Sequence, residues 1–268
     1  MWQLNPLEAL IFKEIALLLL YSFNSLGVPC TFKNNLISKE KTNILLHYQN
    51  IDERDKKLRE VKYIPYQFEQ LGNGGWQDSA EMQSILHNAA NIWDFSLKNI
   101  KYLENLGLSA QYLPPGFHEK LETIQPVEKD IDILFYGIIN ERRQEILSQL
   151  QKQSNIKTII LNGVFGTQRD QYIARAKIVL NLHHYKTRIF ESARVSYLLN
   201  NKVFVVSEQS ADNPYSQVDL VSVPYEQIVD TCLQYLADYS RAQKIAELNY
   251  QQFKENYPMV KLLAEIIF

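Results

Sequence analysis

The residues best suited to chemistry follow the apolar segment 131–136. Gly137 comes directly after it, Asn140 stands where a helix N-cap belongs, and Arg142 and Arg143 fall in the first turn of the next helix. Backbone N–H groups and the positive dipole end at a helix start bind phosphate, and an Arg adds a charge-assisted contact. Basic residues are otherwise unfavourable at that end of a helix. The pattern predicts a phosphate site, with solvated surface residues as the alternative.

A second group of charged residues occupies HHYKTRIFE at 183–191. Lys186 and Arg188 could neutralise a diphosphate, and the Glu191 carboxylate could accept hydrogen bonds from both hydroxyls of a ribose. A Glu in a first helical turn also complements the helix dipole, and Glu191 with Arg194 makes an ordinary i, i+3 pair. The ligand-binding role and the structural role therefore both stay open.

No metal site is predicted. His183 and His184 are adjacent, so their rings seldom point to one centre, and no third ligand accompanies them. Asp130 and Asp132 have a spacing that can hold a divalent cation against a diphosphate, but they stand at the start of the strand 131–136. Ligands of open parallel sheets bind at the carboxyl ends of strands. These carboxylates are therefore interpreted as solvating a strand edge, and no cofactor is expected.

Three features of the first half could receive a sugar or a similar acceptor. Glu69 follows a predicted strand, and the glycine-rich loop 72–75 leads into Trp76. An exposed Trp beside a Glu suits sugar binding, although the same residues also suit a flexible loop anchored by an aromatic ring. His47 lies near the end of the predicted strand 43–48, where a packed or solvated His is the alternative to a catalytic base.

Short apolar segments alternate with amphipathic ones, which predicts βαβ units, parallel sheets and an α/β fold. In the first half the patterns predict a helix at 6–26 with Asn5 as N-cap and Gly27 as C-cap, helices at 78–90 and 97–106, and strands at 29–32, 43–48, 61–66 and 109–113. In the second half they predict strands at 131–136, 157–161, 177–182, 203–207 and 219–223, and helices at 140–152, 167–175, 188–199, 225–238, 240–256 and 259–268.

The motif LPPGF at 113–117 marks a domain boundary, because two prolines and a glycine end any regular element. With 268 residues the chain is long for one hydrophobic core and sufficient for two. We expect one Rossmann-like domain at 1–115, a second at 116–257, and a C-terminal helix at 258–268 that packs back toward the first domain.

The composition excludes several classes of protein. The net charge is −2, so no strong field draws the chain to nucleic acid or to anionic lipid. Cys30 and Cys232 lie far apart, which argues against a disulfide framework and favours a cytoplasmic location. The apolar stretch 7–26 is interrupted by three charged residues, so neither a transmembrane helix nor a signal peptide is expected.

Four segments together resemble the group 1 glycosyltransferases of the spore-maturation-protein type, which have the GT-B fold: FYGIINERR, ARAKIVLNLHHY, RIFESARVSYLLNNKVFVVSE and LPPGF. FEQL and IWDFS look like first-domain landmarks of the same family. The resemblance extends from about Asn43 to Phe253. It implies two Rossmann-like domains facing across a cleft, with a nucleoside diphosphate sugar donor on the second and an unidentified acceptor on the first.

The resemblance also assigns roles to residues on the donor side. Gly137, Asn140 and Arg142 match the turn that holds the donor phosphates. Glu191 matches the second Glu of the family's E-x₇-E motif, which holds the ribose, and His183 stands where the family has the first Glu of that motif. The sequence therefore departs from the family pattern at His183, which is a catalytic position.

For the remaining positions the resemblance implies that Lys186 or Arg188 helps to stabilise the departing diphosphate without a metal ion. Glu69 or His47 would orient the acceptor. The first domain of the family usually opens with a strand and a glycine-bearing turn, whereas this chain starts almost at the first helix. The first domain is therefore expected to be trimmed at its N-terminus.

Three functions fit these observations. The first is a metal-independent glycosyltransferase of the hexosyltransferase type. The second is a non-catalytic nucleotide-sugar-binding or partner-binding module of the same fold, which the trimmed start and His183 favour. The third is another enzyme of this fold, such as an epimerase or phosphorylase, but it would need a further acid/base pair or a pyridoxal phosphate lysine, and neither stands out.

Overall fold

The structure is a computed structural model that divides into two compact units and describes residues 8–34, 36–51, 56–185 and 189–268. Unit 1 comprises Met1–Pro115 together with Leu262–Phe268, and unit 2 comprises Gly116–Lys261. Each unit contains one parallel β-sheet with helices between its strands. This arrangement confirms the predicted α/β class.

Unit 1 contains a four-stranded sheet in the order β1-β2-β3-β4, and each neighbouring pair is parallel. Its strands are β1 Asn43–Leu45, β2 Tyr63–Gln67, β3 Trp93–Asp94 and β4 Gln111–Tyr112. Its helices are α1 Glu8–Ile11, α2 Lys13–Ser25, α3 Lys56–Arg59, α4 Ala80–His87 and α5 Leu97–Asn105, with 3₁₀ turns at Tyr48–Asn50 and Trp76–Asp78. A buried cluster that includes Tyr48, Ile85 and Leu103 forms the core.

The first long helix ends as predicted. Gly27 has a φ of +71°, its N–H donates to Asn24 O at 3.1 Å, and the Val28 N–H donates to Phe23 O at 2.9 Å. This pair of bonds is the Schellman motif, which favours Gly because the residue is left-handed. The predicted N-cap, Asn5, lies outside the described residues.

The predicted strand at 29–32 is wrong, since this segment makes no strand pairing. Pro29 has no N–H to donate to a ladder, which weakens pairing at that position. Two elements were not predicted, β3 and α3, because segments of two and four residues are too short to show a period. Short elements depend on their neighbours rather than on their own pattern.

Unit 2 contains a five-stranded parallel sheet in the order β6-β5-β7-β8-β9. Its strands are β5 Ile131–Tyr136, β6 Thr158–Leu161, β7 Ala176–Asn181, β8 Val205–Glu208 and β9 Val221–Val223. Its helices are α6 Glu141–Gln151, α7 Gly166–Arg175, α8 Ser192–Asn200, α9 Ile228–Ala237, α10 Tyr239–Asn256 and the first residues of α11 Met259–Ile267, with 3₁₀ turns at Glu119–Leu121 and Tyr225–Gln227. All five predicted strands are present within two residues of their predicted ends.

The central strands of this sheet are buried on both faces. Along β5, Ile133 and Phe135 pack into one apolar cluster, whereas Leu134 and Tyr136 pack into another. Such strands are typical of doubly wound sheets covered by helices on both sides. The strand order reverses at β5, because the chain passes to β6 on one side and then to β7 on the other. In this architecture the reversal marks the ligand crevice at the carboxyl ends of the strands.

The C-terminal helix α11 begins in unit 2 and ends in unit 1, where Gln111 Nε2 donates to Ile266 O at 3.3 Å. None of the helices that the structure describes combines the length and the apolar composition needed to cross a lipid bilayer.

Candidate functional site

The candidate site of unit 2 lies where β5, β7 and β8 end and α6 and α8 begin. Asn140 caps α6, since its Oδ1 accepts from the Arg143 N–H at 2.9 Å, which confirms the predicted N-cap. Its Nδ2 donates to His184 O at 2.8 Å, in the loop after β7. One side chain therefore fixes the start of α6 against the neighbouring loop.

Arg143 is the most constrained charge of the site. Its side chain is 3% exposed, and it donates to Leu182 O at 2.6 Å and to Ile138 O at 2.7 Å. Its Nη2 also lies 3.0 Å from Glu191 Oε1. Burial lowers the pKa of the Arg143 guanidinium to about 10, the Glu191 carboxylate opposes this, and the charges of Arg194 and Arg142 lower it further. Arg143 stays charged at neutral pH and ties both loops together.

Arg142 forms a two-pronged ion pair with Glu208, the last residue of β8. Nη1 lies 2.6 Å from Oε2, and Nη2 contacts Oε1. The Glu208 carboxylate also accepts from the His183 N–H at 3.1 Å, and it is almost fully buried. The Arg142 guanidinium lies 4.0 Å above the Tyr225 ring, and its side chain is 23% exposed. Glu208 therefore holds the Arg142 fork in place, while part of the Arg142 side chain stays exposed.

Glu191 directly precedes α8 and connects two guanidiniums. Its Oε1 accepts from Arg143, and its Oε2 lies 4.0 Å from Arg194 Nη1. Arg194 Nη1 also donates to Asn181 Oδ1 at 3.0 Å, at the end of β7. The i, i+3 pair considered from the sequence is present, but the contact with Arg143 is closer. Glu191 is 22% exposed, so its carboxylate can still be reached by a ligand.

Gly137 lets the chain pass close to Arg194. It has a φ of +134°, and a Cβ at this position would lie 2.8 Å from Arg194 Nη2. An L-residue at this φ is strained, and contact at that distance would push the guanidinium away. The turn after β5 therefore favours glycine because of its φ, and an added Cβ would also displace the Arg194 guanidinium.

The described charges of this site do not balance. The ion-paired group contains three guanidiniums, those of Arg142, Arg143 and Arg194, and the two carboxylates of Glu191 and Glu208, which leaves one positive charge in a half-buried place. A further carboxylate, that of Glu145, is exposed and accepts from Tyr225 Oη at 2.9 Å. A positive site at helix starts and at the reversal of a parallel sheet is suited to an anionic ligand such as a phosphate. Lys186 and Arg188, the two other predicted phosphate contacts, lie outside the described residues.

His183 is fully buried beside this cluster, and neither ring nitrogen makes a hydrogen bond of good geometry with a described side chain or backbone group. Burial lowers the pKa of its imidazole below the ordinary 6.5, although Glu208, Glu191 and the nearby Gln209 backbone oppose this. The pKa of His184 is also lowered, first by burial and then by Arg143. Both rings are therefore neutral near pH 7. The catalytic role assigned to His183 stays a prediction.

The buried His183 makes stability depend on pH. Its folded pKa is lower than its unfolded value, so the unfolded chain takes up the proton first as the pH falls. The stabilising contribution is complete above pH 6.5 and is lost as the pH falls through the folded pKa, by up to about 1.4 kcal/mol per pH unit. We expect His183→Gln to flatten this part of the curve, as measured by urea unfolding between pH 7.5 and 5. Parallel curves for the two proteins would contradict this prediction.

In unit 1 the two predicted acceptor residues follow neighbouring parallel strands. His47 comes after β1 and Glu69 after β2, so both lie at the carboxyl edge of the sheet. The Glu69 backbone is held on both sides, because its N–H donates to Gln67 Oε1 at 2.8 Å and its carbonyl accepts from Asn99 Nδ2 at 2.8 Å. The His47 ring lies 5.2 Å from the Phe12 ring. Their roles toward an acceptor stay predictions.

The glycine-rich loop of unit 1 is fixed by one carboxylate. The two Asp78 oxygens accept from the Gly72 N–H at 2.8 Å and from the Gly74 N–H at 2.7 Å. Trp76 extends from this loop and is 54% exposed. The loop is therefore held by side-chain hydrogen bonds, with its aromatic ring presented to solvent.

Asp130 and Asp132 have cationic partners at the start of β5. Asp130 contacts Arg175 and Lys157, and Asp132 contacts Lys177 at 2.7 Å. These ion pairs agree with the interpretation as a solvated strand edge. No cluster of three or more potential metal-ligating residues occurs within the described ranges.

Sequence reasoning missed Glu208, treated Arg194 only as an i, i+3 partner of Glu191, and did not predict that Arg143 is buried. The available signal for Glu208 was a lone carboxylate at the carboxyl end of an apolar strand, the position where ligands of parallel sheets bind. Arg143 was named with Arg142, but its burial is not visible in a pattern of two adjacent basic residues.

No protein-family model matches the chain. It is similar to two uncharacterized proteins of Acanthamoeba polyphaga mimivirus. The first is 29% identical over 174 residues, which is 60% of this chain and 57% of the relative. The second is 28% identical over 174 residues, which is 62% and 60% respectively. The chain therefore spans less than two thirds of the length of these relatives.

The structure is similar to S. aureus TarM, with a TM-score of 0.59 and 11% identity over 86% of this chain and 54% of TarM. A TarM variant solved with fondaparinux, an α-GlcNAc-glycerol and UDP gives a TM-score of 0.58 and 10% identity over 78% and 50%. A Listeria monocytogenes protein described as a UDP-N-acetylglucosamine 2-epimerase gives 0.53 and 9% identity over 98% and 94%. This similarity shows a GT-B-like fold and confirms the predicted fold class.

Proposed function

We propose that this chain transfers a sugar from a nucleoside diphosphate sugar to an acceptor, without a metal ion, and that it is a glycosyltransferase of the spore-maturation type. The single observation that supports this most is the net positive charge of the ion-paired cluster in unit 2. This cluster lies where the strand order of the parallel sheet reverses, in a structure with a GT-B-like fold. Arg142 carries the exposed part of that charge and would contact the diphosphate.

The remaining roles follow from the contacts of each residue. Glu191 would accept the ribose hydroxyls through its exposed edge while Arg143 holds the other oxygen. The turn at Gly137 and the capped start of α6 would place backbone N–H groups toward phosphate. Glu208 would act as a positioning residue, because it holds the Arg142 fork and is itself buried. In unit 1, Glu69 or His47 would orient the acceptor.

Two variants isolate the contribution of Arg142 to diphosphate binding. Removing Arg142 alone would leave the buried Glu208 carboxylate without its cationic partner, which is strongly destabilising. We therefore compare Glu208→Gln with the double variant Arg142→Ala, Glu208→Gln. The double variant should bind UDP about tenfold more weakly than the single one, since a hydrogen bond to a charged group contributes about 1.5–3 kcal/mol. Binding of uridine should be the same in both, because the lost contact is with phosphate.

Calorimetric titration with UDP and uridine, repeated with other nucleoside diphosphates, gives these affinities, and a thermal melt verifies folding. Arg175→Ala is the control, since this exposed arginine of unit 2 pairs with Asp130 at the opposite end of the sheet. A magnesium chelator should leave nucleotide binding unchanged. Equal diphosphate affinity of both Glu208→Gln proteins, or a tenfold loss on chelation, would contradict the proposed site.

One observation favours a second candidate, a non-catalytic module that binds a nucleotide sugar. In the glycosyltransferase family that the sequence resembles, the position of His183 is catalytic. The His183 ring, however, is fully buried and electrically neutral. A protein without an exposed catalytic group at this position would bind the nucleotide sugar but would not transfer its sugar. Hydrolysis of a bound donor sugar distinguishes the two candidates, because only the transferase should release free sugar and nucleoside diphosphate.

A further inference from the structure

Unit 1 contains a cavity that the proposed donor site does not use. Its volume is about 1060 Å³, and its described lining residues all belong to unit 1. Ligand cavities typically measure about 300–1,000 Å³, so this one is large enough for an elongated small molecule. Its floor, walls and rim differ in chemistry, and together they define a class of ligand.

The floor of the cavity is an apolar face of the sheet. Ile44 pairs with Ile64 in the parallel register of β1 and β2, so the two side chains lie side by side. Tyr66 pairs with Trp93, and Ile64 lies two residues before Tyr66, which places Trp93 on this face as well. Ile44 and Ile64 are only partly buried, although parallel strands are normally covered on both faces.

The walls add further apolar side chains, beside polar lining residues such as Asn34, Thr42 and His47. Phe12 and the α2 residues Ala16 and Phe23 form one side, and Ile266 and Ile267 near the end of α11 contribute to the lining as well. A slot with an aliphatic and aromatic lining of this kind favours a hydrocarbon chain, because each methylene that enters it leaves water.

The rim is cationic. Asn43 Nδ2 donates to Lys41 O at 3.1 Å and to Lys62 O at 3.0 Å. The backbones of both lysines therefore lie at the same corner of the cavity. Lys33 is a third lysine of the lining, which includes no Asp or Glu among the described residues. Burial raises the pKa of the Cys30 thiol in the wall, and the Thr31 backbone and then the Lys41 ammonium oppose this rise.

We infer that this cavity binds a single-chain amphiphile whose hydrocarbon chain lies on the apolar floor and whose anionic head group contacts Lys41 and Lys62. An apolar slot alone would accept any hydrocarbon, but a lysine corner without a lining carboxylate selects for negative charge. His47, which the proposed function places at the acceptor, also lines this cavity. The inference rests on the lining of the cavity and does not require donor binding, which belongs to unit 2.

The test uses the full chain with octyl and decyl phosphate below their micellar concentrations, followed by calorimetry. Affinity should rise about threefold to fourfold per added methylene. A trimethylammonium amphiphile of the same chain length should bind at least about tenfold more weakly than decyl phosphate. Excess inorganic phosphate should not weaken decyl phosphate binding to the cavity, because it cannot use the floor, whether or not phosphate also binds to the cluster of unit 2.

Three variants locate the site. The double variant Lys41→Ala, Lys62→Ala should weaken decyl phosphate binding about tenfold. Lys39→Ala is the matched control, because this nearby lysine pairs with Glu60, is exposed and does not line the cavity. Ile44→Phe should fill part of the floor and remove the dependence on chain length, with a thermal melt to verify folding. Equal binding of the cationic amphiphile, or equal losses in Lys39→Ala and the double variant, would overturn the inference.

Discussion

Replacing Arg143 with Met is expected to lower the free energy of unfolding by about 3–5 kcal/mol, the magnitude typical of breaking a buried ion pair. Met has a similar length, so little cavity forms, and the loss is electrostatic. The carbonyls of Leu182 and Ile138 lose their donors, and Glu191 loses its closest cation. A buried acceptor left without a donor costs about 1–3 kcal/mol. Urea unfolding followed by circular dichroism measures the change.

Arg175→Met is the matched control for this measurement. Arg175 also belongs to unit 2 and also pairs with a carboxylate, but both its side chain and that of Asp130 are more than 40% exposed. Exposed pairs contribute little because water and salt screen them, so the control should unfold almost like the original chain. Similar destabilisation by the two substitutions would show that the burial of Arg143 has no special energetic role.

Gly137→Ala is expected to destabilise unit 2 by about 1–3 kcal/mol and to weaken nucleoside diphosphate binding. The strain of an L-residue at a φ of +134° costs about 1–3 kcal/mol, and the added Cβ also pushes away the end of the Arg194 side chain. Displacing Arg194 also moves a positive charge away from the site. Urea unfolding gives the first effect, and titration with UDP gives the second.

Gly163→Ala separates the backbone strain from the contact with Arg194. Gly163 follows β6 and has a φ of +70°, but a Cβ there would meet no atom within 4 Å. This substitution should therefore show the backbone strain alone, about 1–2 kcal/mol, with unchanged UDP affinity. If Gly137→Ala were no more harmful than Gly163→Ala, the close approach to Arg194 would not matter for the site.

The structure of unit 2 could be predicted largely from the sequence. Segments such as 131–136 and 177–182 are long apolar runs, and the segments between them repeat their apolar residues with a helical period. These patterns are local, and packing on both faces of the sheet agrees with them. The capping residue Asn140 is also a local signal, because its side chain reaches a backbone N–H only three residues ahead.

Unit 1 was less predictable because its elements are short. The strand β3 has two residues, and the expected strand at 29–32 contains Pro29 and does not pair. In such segments the pairing partner decides the conformation, and the partner lies far away in sequence: Trp93 pairs with Tyr66, and Asp94 with Gln67. The residue pattern of such a short segment does not indicate which distant strand it pairs with.

The sequence by itself determined the α/β class, most of the strands and helices, and the residues that stand at strand ends: Gly137, Asn140, Arg142, His183 and Glu191. Only the tertiary structure decided which charges meet. Arg142 pairs with Glu208 over 66 residues, and Arg143 pairs with Glu191 over 48. Those pairs exist because the sheet order β6-β5-β7-β8 brings the ends of three strands together. Strand order depends on long-range packing of apolar faces, and no local pattern of charge or period encodes it.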